Sequence, residues 1–257
     1  MDGNVNTYED YQKFYSYVDS STAFKKFCEK VYGIDLSQDG FANKNQIHFL
    51  INNLNINEND TVLDIGCGYG KIAKYIQQKT NAMVDGMDYS PIAIKIAKTY
   101  EDERMHFFTE DINKLTLQPS KYSKIYLIDT IYFSDDYEKT LMEIYKRLKN
   151  QGKIGIYYSD FIFEADKQEK KIDGKETCIA NILCRNNWSY SVYDFTTDHY
   201  KLMKKRRNVS IKLKQDFTLE GNEFLYKKVN SESIDLDMSY IDFMKFSNRY
   251  FYCIEKK

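Results

Sequence analysis

Thr61-Val-Leu-Asp-Ile-Gly-Cys-Gly-Tyr-Gly70 is the stretch that decides the fold. A short apolar run containing Asp64 flows into Gly66, Gly68 and Gly70 and then into a helical pattern, which reads as strand, tight turn and helix start. Glycines remove the β-carbons that would hold a ligand off the backbone. The helix that follows offers unpaired N–H groups and the positive end of its dipole. Such a turn holds a nucleotide-like ligand. Its spacing is Gly-x-Gly-x-Gly, not the Gly-x-Gly-x-x-Gly of dinucleotide folds, and the phosphate-loop pattern ending in Gly-Lys-Ser/Thr is absent.

Working outward, Asn81-Ala-Met-Val-Asp-Gly-Met-Asp88 reads as the next strand, ending in an acid. A carboxylate about 20 residues beyond a glycine turn is placed to accept hydrogen bonds from a ribose diol. Ser90-Pro91 then supplies an N-cap and a first-turn proline, with Ala93, Ile96, Ala97 and Tyr100 at helical spacing. Met105 to Thr109 is a third strand leading into Glu110-Asp111-Ile112, and Lys124 to Ile128 a fourth ending at Asp129. On the N-terminal side, Ile47, Leu50, Ile51 and Leu54 form one apolar helical stripe, and Asn55 to Asp60 a polar turn. Leu141, Ile144, Tyr145 and Leu148 repeat that stripe; Asn150-Gln151-Gly152 is expected to cap the helix, and Lys153 to Tyr158 to form a fifth strand.

The glycine motif, with Asp64 two residues before its first glycine, resembles motif I of the class I S-adenosylmethionine-dependent methyltransferases. Asp88 matches that family's ribose-binding acid, Glu110-Asp111-Ile112 resembles its adenine-contacting motif, and Asp129 stands between the methionine moiety and the substrate. The resemblance implies an α/β fold: a Rossmann-like seven-stranded sheet, mostly parallel, with helices on both faces and an α-rich cap. Asn248 to Ile254 then becomes its antiparallel last strand, with Trp188 to Phe195 as partner. It also implies S-adenosylmethionine as cofactor, S-adenosylhomocysteine as product, and a cofactor-binding set of Asp64, Gly66, Cys67, Gly68, Gly70, Asp88, Tyr89, Asp111, Ile112 and Asp129. Each piece has a plainer reading: Asp64 as a brace for the loop, Asp111 as a cap, Cys67 as a small packing residue with no base beside it in sequence.

Composition narrows the class. With 257 residues the chain can bury a full α/β core with additions, here read as one domain with an N-terminal helical lid over residues 1–40 and cap or substrate-recognition elements over 160–245. Lys and Arg number 37 against 38 Asp and Glu, a balance that provides no global attraction to nucleic acid. Cys28, Cys67, Cys178, Cys184 and Cys253 lack Cys-x-x-Cys spacing, favouring a reducing, cytoplasmic setting. A signal-like segment and an apolar run of membrane-spanning length are both missing, so no membrane partner is expected. Low proline with abundant Asn, Lys, Ile and Tyr fits an A/T-rich bacterial genome.

The ends of the chain bear on the acceptor. Tyr8, Tyr11, Phe14, Tyr15 and Tyr17, then Phe24, Phe27, Tyr32 and Phe41, make the N-terminal part aromatic. Most aromatics are core, but ring faces also attract a sulfonium or ammonium by about 0.5–2 kcal/mol per contact. Tyr11 and Tyr15 are the candidates for ligand contact. The glycine-bearing loop Val31 to Phe41 and the stretch Asp129-Thr-Ile-Tyr-Phe-Ser134 resemble bacterial small-molecule enzymes of the type that includes glycine, sarcosine and phosphoethanolamine N-methyltransferases. That resemblance is close over about residues 40–160 and loose at the ends, and it implies transfer to nitrogen or oxygen of a small molecule. Asp129, Tyr132 and His199 are the catalytic candidates, and Gln38 and Tyr132 the substrate contacts. His48 and His106 read as structural or surface residues, and no cluster has metal-ligand spacing. Two rivals are an RNA or protein methyltransferase, to which the run Lys204-Lys-Arg-Arg207 points, and a non-catalytic cofactor-binding protein. The run reads as a solvated helix face, and the Asn/Asp-Pro-Pro-Tyr/Phe motif of base-methylating enzymes is absent.

Overall fold

A computed structural model describes residues 8–161 and 171–257. Its strands are β1 (Thr61–Ile65), β2 (Met83–Asp88), β3 (Met105–Thr109), β4 (Tyr122–Ile128), β5 (Leu148–Phe161), β6 (Ser189–Asp194) and β7 (Ser247–Glu255). All seven join one sheet in the order β3-β2-β1-β4-β5-β7-β6. The first five pair in parallel, and β7 runs antiparallel between β5 and β6. This is the expected sheet, including the pairing of the 188–195 and 248–254 segments.

Strand residues point alternately to the two faces. Val62 and Tyr126 join one buried cluster with Ile47, Leu50 and Leu54 from α3 (Lys44–Leu54) and Ala73 and Ile76 from α4 (Lys71–Thr80). Leu63, Ile125 and Leu127 join another with Leu141 and Ile144 from α6 (Tyr137–Arg147) and Ile179 and Leu183 from α7 (Cys178–Arg185). Ser90 caps α5 (Pro91–Ala97), accepting from Ala93 N at 3.2 Å. The end of α6 departs from expectation. The helix stops at Arg147, Leu148 is already extended, and Gln151 takes a left-handed φ of 61° inside β5. Gly152 is therefore a strand residue, and the expected cap at 150–152 is corrected: Leu148 is drawn into the sheet, pairing with Tyr122.

A third core lies apart from the sheet. It joins α1 (Tyr8–Tyr17) and α2 (Thr22–Tyr32) to α8 (Thr196–Leu219) and α9 (Glu223–Ser231) through Phe14, Val18, Phe24, Phe27, Leu213, Phe217 and Leu225. Burying each such side chain stabilises by about 1.5–3 kcal/mol, so α1 is a packed element as well as a cover. Helices α8, α9 and α10 (Tyr240–Phe246) enter between β6 and β7, while α7 and β6 belong to the sheet layers. The basic run falls on α8 and is not one solvated face. Lys205 is exposed, but Arg206 is buried, donates to Tyr32 Oη and to Glu232 at 3.0 Å, and lies over Phe41. Arg207 reaches Asp235 at 3.4 Å.

Candidate active site

Strand β1 lies between β2 and β4, so the chain reverses its direction of winding beside the glycine turn. A crevice opens there at the carboxyl ends of the strands, where ligands bind in sheets of this type. Gly66 has φ 79°, and a β-carbon on it would lie 2.4 Å from Thr130 Oγ1. Gly68 has φ 50°, and a β-carbon there would sit 2.9 Å from Tyr15 Oη. Both positions therefore exclude side chains on conformation and on space. The loop is pinned from below by Gly66 N and Cys67 N donating to Met87 O at 2.8 and 2.9 Å.

Asp88, at the end of β2, accepts from Gly68 N and Ser90 N, both at 2.9 Å. Burial pushes its carboxyl up, and the N–H groups of Ser90, Gly68 and Tyr89 oppose that. Asp88 thus braces the glycine loop. Asp64 is buried, and its Oδ2 has no hydrogen-bond partner among the described residues. Burial raises its pKa to about 7, against the opposing influence of the Tyr126 hydroxyl. A buried carboxylate oxygen without a donor is poised for a cation or N–H group from a ligand. Cys67 is a buried thiol held well above its ordinary pKa by burial, consistent with packing and not nucleophilic use.

Two contiguous hollows flank this loop. The smaller, ≈ 440 Å³, is lined by Ile65, Asp88, Tyr89, Asp111, Ile112 and Phe133 among others, with Tyr89 stacked on Phe133 at 6.3 Å. Asp111 Oδ1 also accepts from Asn113 N at 2.9 Å, so it shapes its own turn while facing the hollow. The larger, ≈ 800 Å³, takes in Tyr11, Tyr15, Gln38, Asp64, the glycine turn, Asp129 and Tyr132. The expected cofactor and substrate residues therefore line one or other of these two hollows, except Gly70, which caps the start of α4 and lines neither.

The catalytic candidates separate. Asp129 has a left-handed φ of 55° and holds Arg249 of β7 bidentately, Oδ1 to Nη1 at 2.5 Å and Oδ2 to Nη2 at 3.0 Å, while accepting from Phe41 N at 2.8 Å. Its carboxylate ties the 36–42 loop to β7 and faces the cavity. Tyr132 Oη accepts from Ser159 N, and burial together with Asp129 raises its pKa, so it stays a neutral phenol. His199 is not among the cavity-lining residues. It is fully buried between Phe41 and Phe243, neither ring nitrogen has a partner among the described residues, and burial with Arg249 and Arg206 nearby keeps it uncharged. Helix α8 places it against this aromatic wall and not in the cavity. Sequence reasoning also misses Tyr137, Tyr158, Asp160 and Glu232, which line the larger hollow. Asp160 stands near the end of the fifth strand, and the rule that singles out Asp88 and Asp129 could have found it. The others lack such a signal, because only packing decides which of their faces meets the hollow.

Residues 62–152 match the family model described as a methyltransferase domain. A sterol 24-C-methyltransferase from Clavispora lusitaniae is 29% identical over 133 residues, covering 49% of this chain and 36% of that protein. The Saccharomyces cerevisiae sterol 24-C-methyltransferase is 30% identical over 133 residues, 49% of this chain and 35% of its own. The chain thus spans about a third of the length of these curated relatives. A solved Haemonchus contortus phosphoethanolamine N-methyltransferase 2, in complex with phosphomonomethylethanolamine and S-adenosylhomocysteine, superposes with a TM-score of 0.72 at 19% identity, covering 96% of this chain and 60% of that one. Taken with the glycine turn, the strand-end acids and the sheet order, these likenesses show that the chain has the fold of the class I S-adenosylmethionine-dependent methyltransferases, with residues 62–152 similar to a methyltransferase domain.

Proposed function

We propose that the chain transfers a methyl group from S-adenosylmethionine to a nitrogen or oxygen atom of a small-molecule acceptor, leaving S-adenosylhomocysteine. The observation that carries this reading is the division of one cavity into a glycine cradle flanked by Asp64 and Asp88 and a polar, aromatic remainder. The cofactor fits the cradle: the glycines admit its backbone-hugging body, Asp64 Oδ2 lacks a donor that an ammonium would supply, and Asp88 has lone pairs for a ribose diol. Asp111, Ile112 and Tyr89 would flank the base. When bound, the sulfonium supplies an activated methyl group and a neutral thioether leaving group. What is left to the chain is placement of the nucleophile and exclusion of water. Tyr11 and Tyr15 from α1 close one side, and Gln38, Asp129 and Tyr132 face the acceptor on the other. Asp129 then acts through position, since Arg249 occupies both its oxygens.

A carbon acceptor is the second reading, because the curated relatives are sterol C-methyltransferases. Against it, the stretch that matches the family model, 62–152, carries the cradle and not the cap that would select an acceptor. The nucleic-acid rival is weakened by the burial of Arg206 and the pairing of Arg207 within what reads in sequence as a basic face. Five free cysteines are in keeping with a cytoplasmic setting. Among the described residues no helix is long and apolar enough to cross a membrane, and no group of His, Cys, Asp and Glu could hold a metal ion. Calorimetry with S-adenosylhomocysteine, followed by labelled methyl transfer into a metabolite mixture, tests the reading. Absence of S-adenosylhomocysteine binding overturns it.

A further inference from the structure

The acceptor side of the cavity is electrostatically one-sided. Among the described residues, six carboxylates line the larger hollow, Asp39, Asp64, Asp88, Asp129, Asp160 and Glu232, against one cation, Lys71. Lys71 is already engaged by Ser37 Oγ at 2.6 Å and Asp35 at 3.7 Å. Most of the carboxylates are answered within the protein. Lys228 pairs with Asp39 at 3.1 Å and Glu232 at 2.6 Å, Arg249 with Asp129, and backbone N–H groups with Asp88. Asp64 belongs to the cofactor end.

Asp160 is different. Near the end of β5 it accepts one hydrogen bond, from Tyr158 Oη at 3.1 Å, and has no cationic partner among the described residues. Tyr137 and Tyr158 both stand near enough to feel its charge, and the Tyr132 ring lies 5.5 Å from that of Tyr158. A second, separate observation comes from Gln38. It is 7% exposed and lines the same hollow; its Nε2 donates to Ala42 O at 3.2 Å, which leaves Oε1 as the other end, without a donor among the described residues. A buried acceptor without a donor and a carboxylate without a cation, set among tyrosine rings, ask for the same complement: N–H bonds and positive charge.

We infer that the acceptor is an amine that enters as an ammonium ion, with Asp160 as its carboxylate partner, Gln38 Oε1 as a further acceptor and the Tyr132, Tyr137 and Tyr158 rings around it. The inference rests on the methyl-transfer reading above and narrows it from nitrogen or oxygen to nitrogen. It also excludes phosphorylated and carboxylate-bearing acceptors, which would meet carboxylates around the hollow and, among the described residues that line it, no unengaged cation. In the step, the ammonium gives one proton to the Asp160 carboxylate and so frees its lone pair. That pair forms the bond to the methyl carbon while the carbon–sulfur bond breaks, its electrons staying on sulfur. The products are an N-methylammonium and S-adenosylhomocysteine, and the proton passes from Asp160 to solvent.

The test is calorimetry on the full chain saturated with S-adenosylhomocysteine, using phenethylamine, hexylamine and 1,4-diaminobutane, the three matching alcohols, and phosphoethanolamine. At least one amine should bind, more tightly than its alcohol by about 10- to 100-fold, the range for a charged hydrogen bond, and phosphoethanolamine should not bind. Asp160→Asn should remove that amine preference while leaving S-adenosylhomocysteine affinity unchanged, which also reports that the variant is folded. Gln38→Leu should weaken the amine by a smaller factor. No preference of any amine over its alcohol, tighter binding of phosphoethanolamine, or an Asp160→Asn variant that keeps the amine preference overturns the amine assignment. If S-adenosylhomocysteine itself fails to bind the parent protein, the methyl-transfer reading fails first and the amine assignment with it.

Discussion

The two ends of the cavity are built by different means. The glycine end comes from the backbone of consecutive residues, Gly66 to Gly70, and from acids on adjacent parallel strands. The opposite end is assembled from side chains that the chain brings together over long separations, as in Asp129 with Arg249 or Lys228 with Asp39. Backbone cradles tolerate almost no substitution, because the limiting quantity is space and φ. Side-chain walls tolerate exchange as long as each buried charge keeps a partner. One fold can in this way keep its cofactor chemistry while the wall facing the acceptor changes.

The contrast is broken most sharply at Gly66. A β-branched side chain there meets Thr130 at 2.4 Å from a backbone φ of 79°, so Gly66→Val should abolish detectable binding of S-adenosylhomocysteine in calorimetry. Normal affinity would mean that the cradle is not the cofactor site. Next comes the buried guanidinium of the cap. Arg206→Gln removes the guanidinium that Tyr32 and Glu232 share and leaves Glu232 to Lys228 alone, and should lower unfolding free energy by about 3 kcal/mol in denaturant titration, whereas Lys205→Gln should leave it unchanged. Equal effects at the two positions would restore the solvated-face view of that run.

Asp88→Ala should weaken the cofactor by about 1.5–3 kcal/mol, the range for hydrogen bonds to a charged group, and should also loosen the loop that Asp88 braces through Gly68. Unchanged binding would remove Asp88 from the site. The smallest expected effect is a titration. Burial raises Asp64 to about 7, so in the free protein it holds its proton through the range where an unfolded Asp has lost it, and unfolding free energy falls as pH rises from about 4 to 7. A bound ammonium favours the ionised form and expels that proton. Cofactor affinity should therefore climb about tenfold from pH 6 to pH 8, with proton release seen as buffer-dependent heats. Asp64→Asn should flatten the profile. A flat profile in the parent chain would detach the cofactor's ammonium from Asp64.

Legibility follows the same division. Ser90-Pro91, the stripes of α3 and α6, and the strand-end acids are readable because caps, periodicity and strand termini are local signals. The surroundings of His199 are not, because its neighbours Phe41 and Phe243 come from a distant loop and helix. Asp129 lines the cavity, as its place after the fourth strand suggests, but its bond to Arg249 is invisible in sequence. Its replacement by Asn would consequently weaken the hold on a fully buried guanidinium as well as disturb the acceptor wall.

By itself the sequence determined the sheet, the glycine turn and the acids at the ends of its strands, since each depends on residues within a few positions of one another and on hydrogen bonds that neighbouring backbone must make. Only the tertiary structure decided which charges are spent on one another, which histidine and arginine lie inside the cap, and which carboxylate of the cavity wall is left without a cation among the described residues. Those outcomes depend on burial and pairing between segments as far apart as the 36–42 loop and β7, where desolvation makes each charge's partner a property of the whole fold.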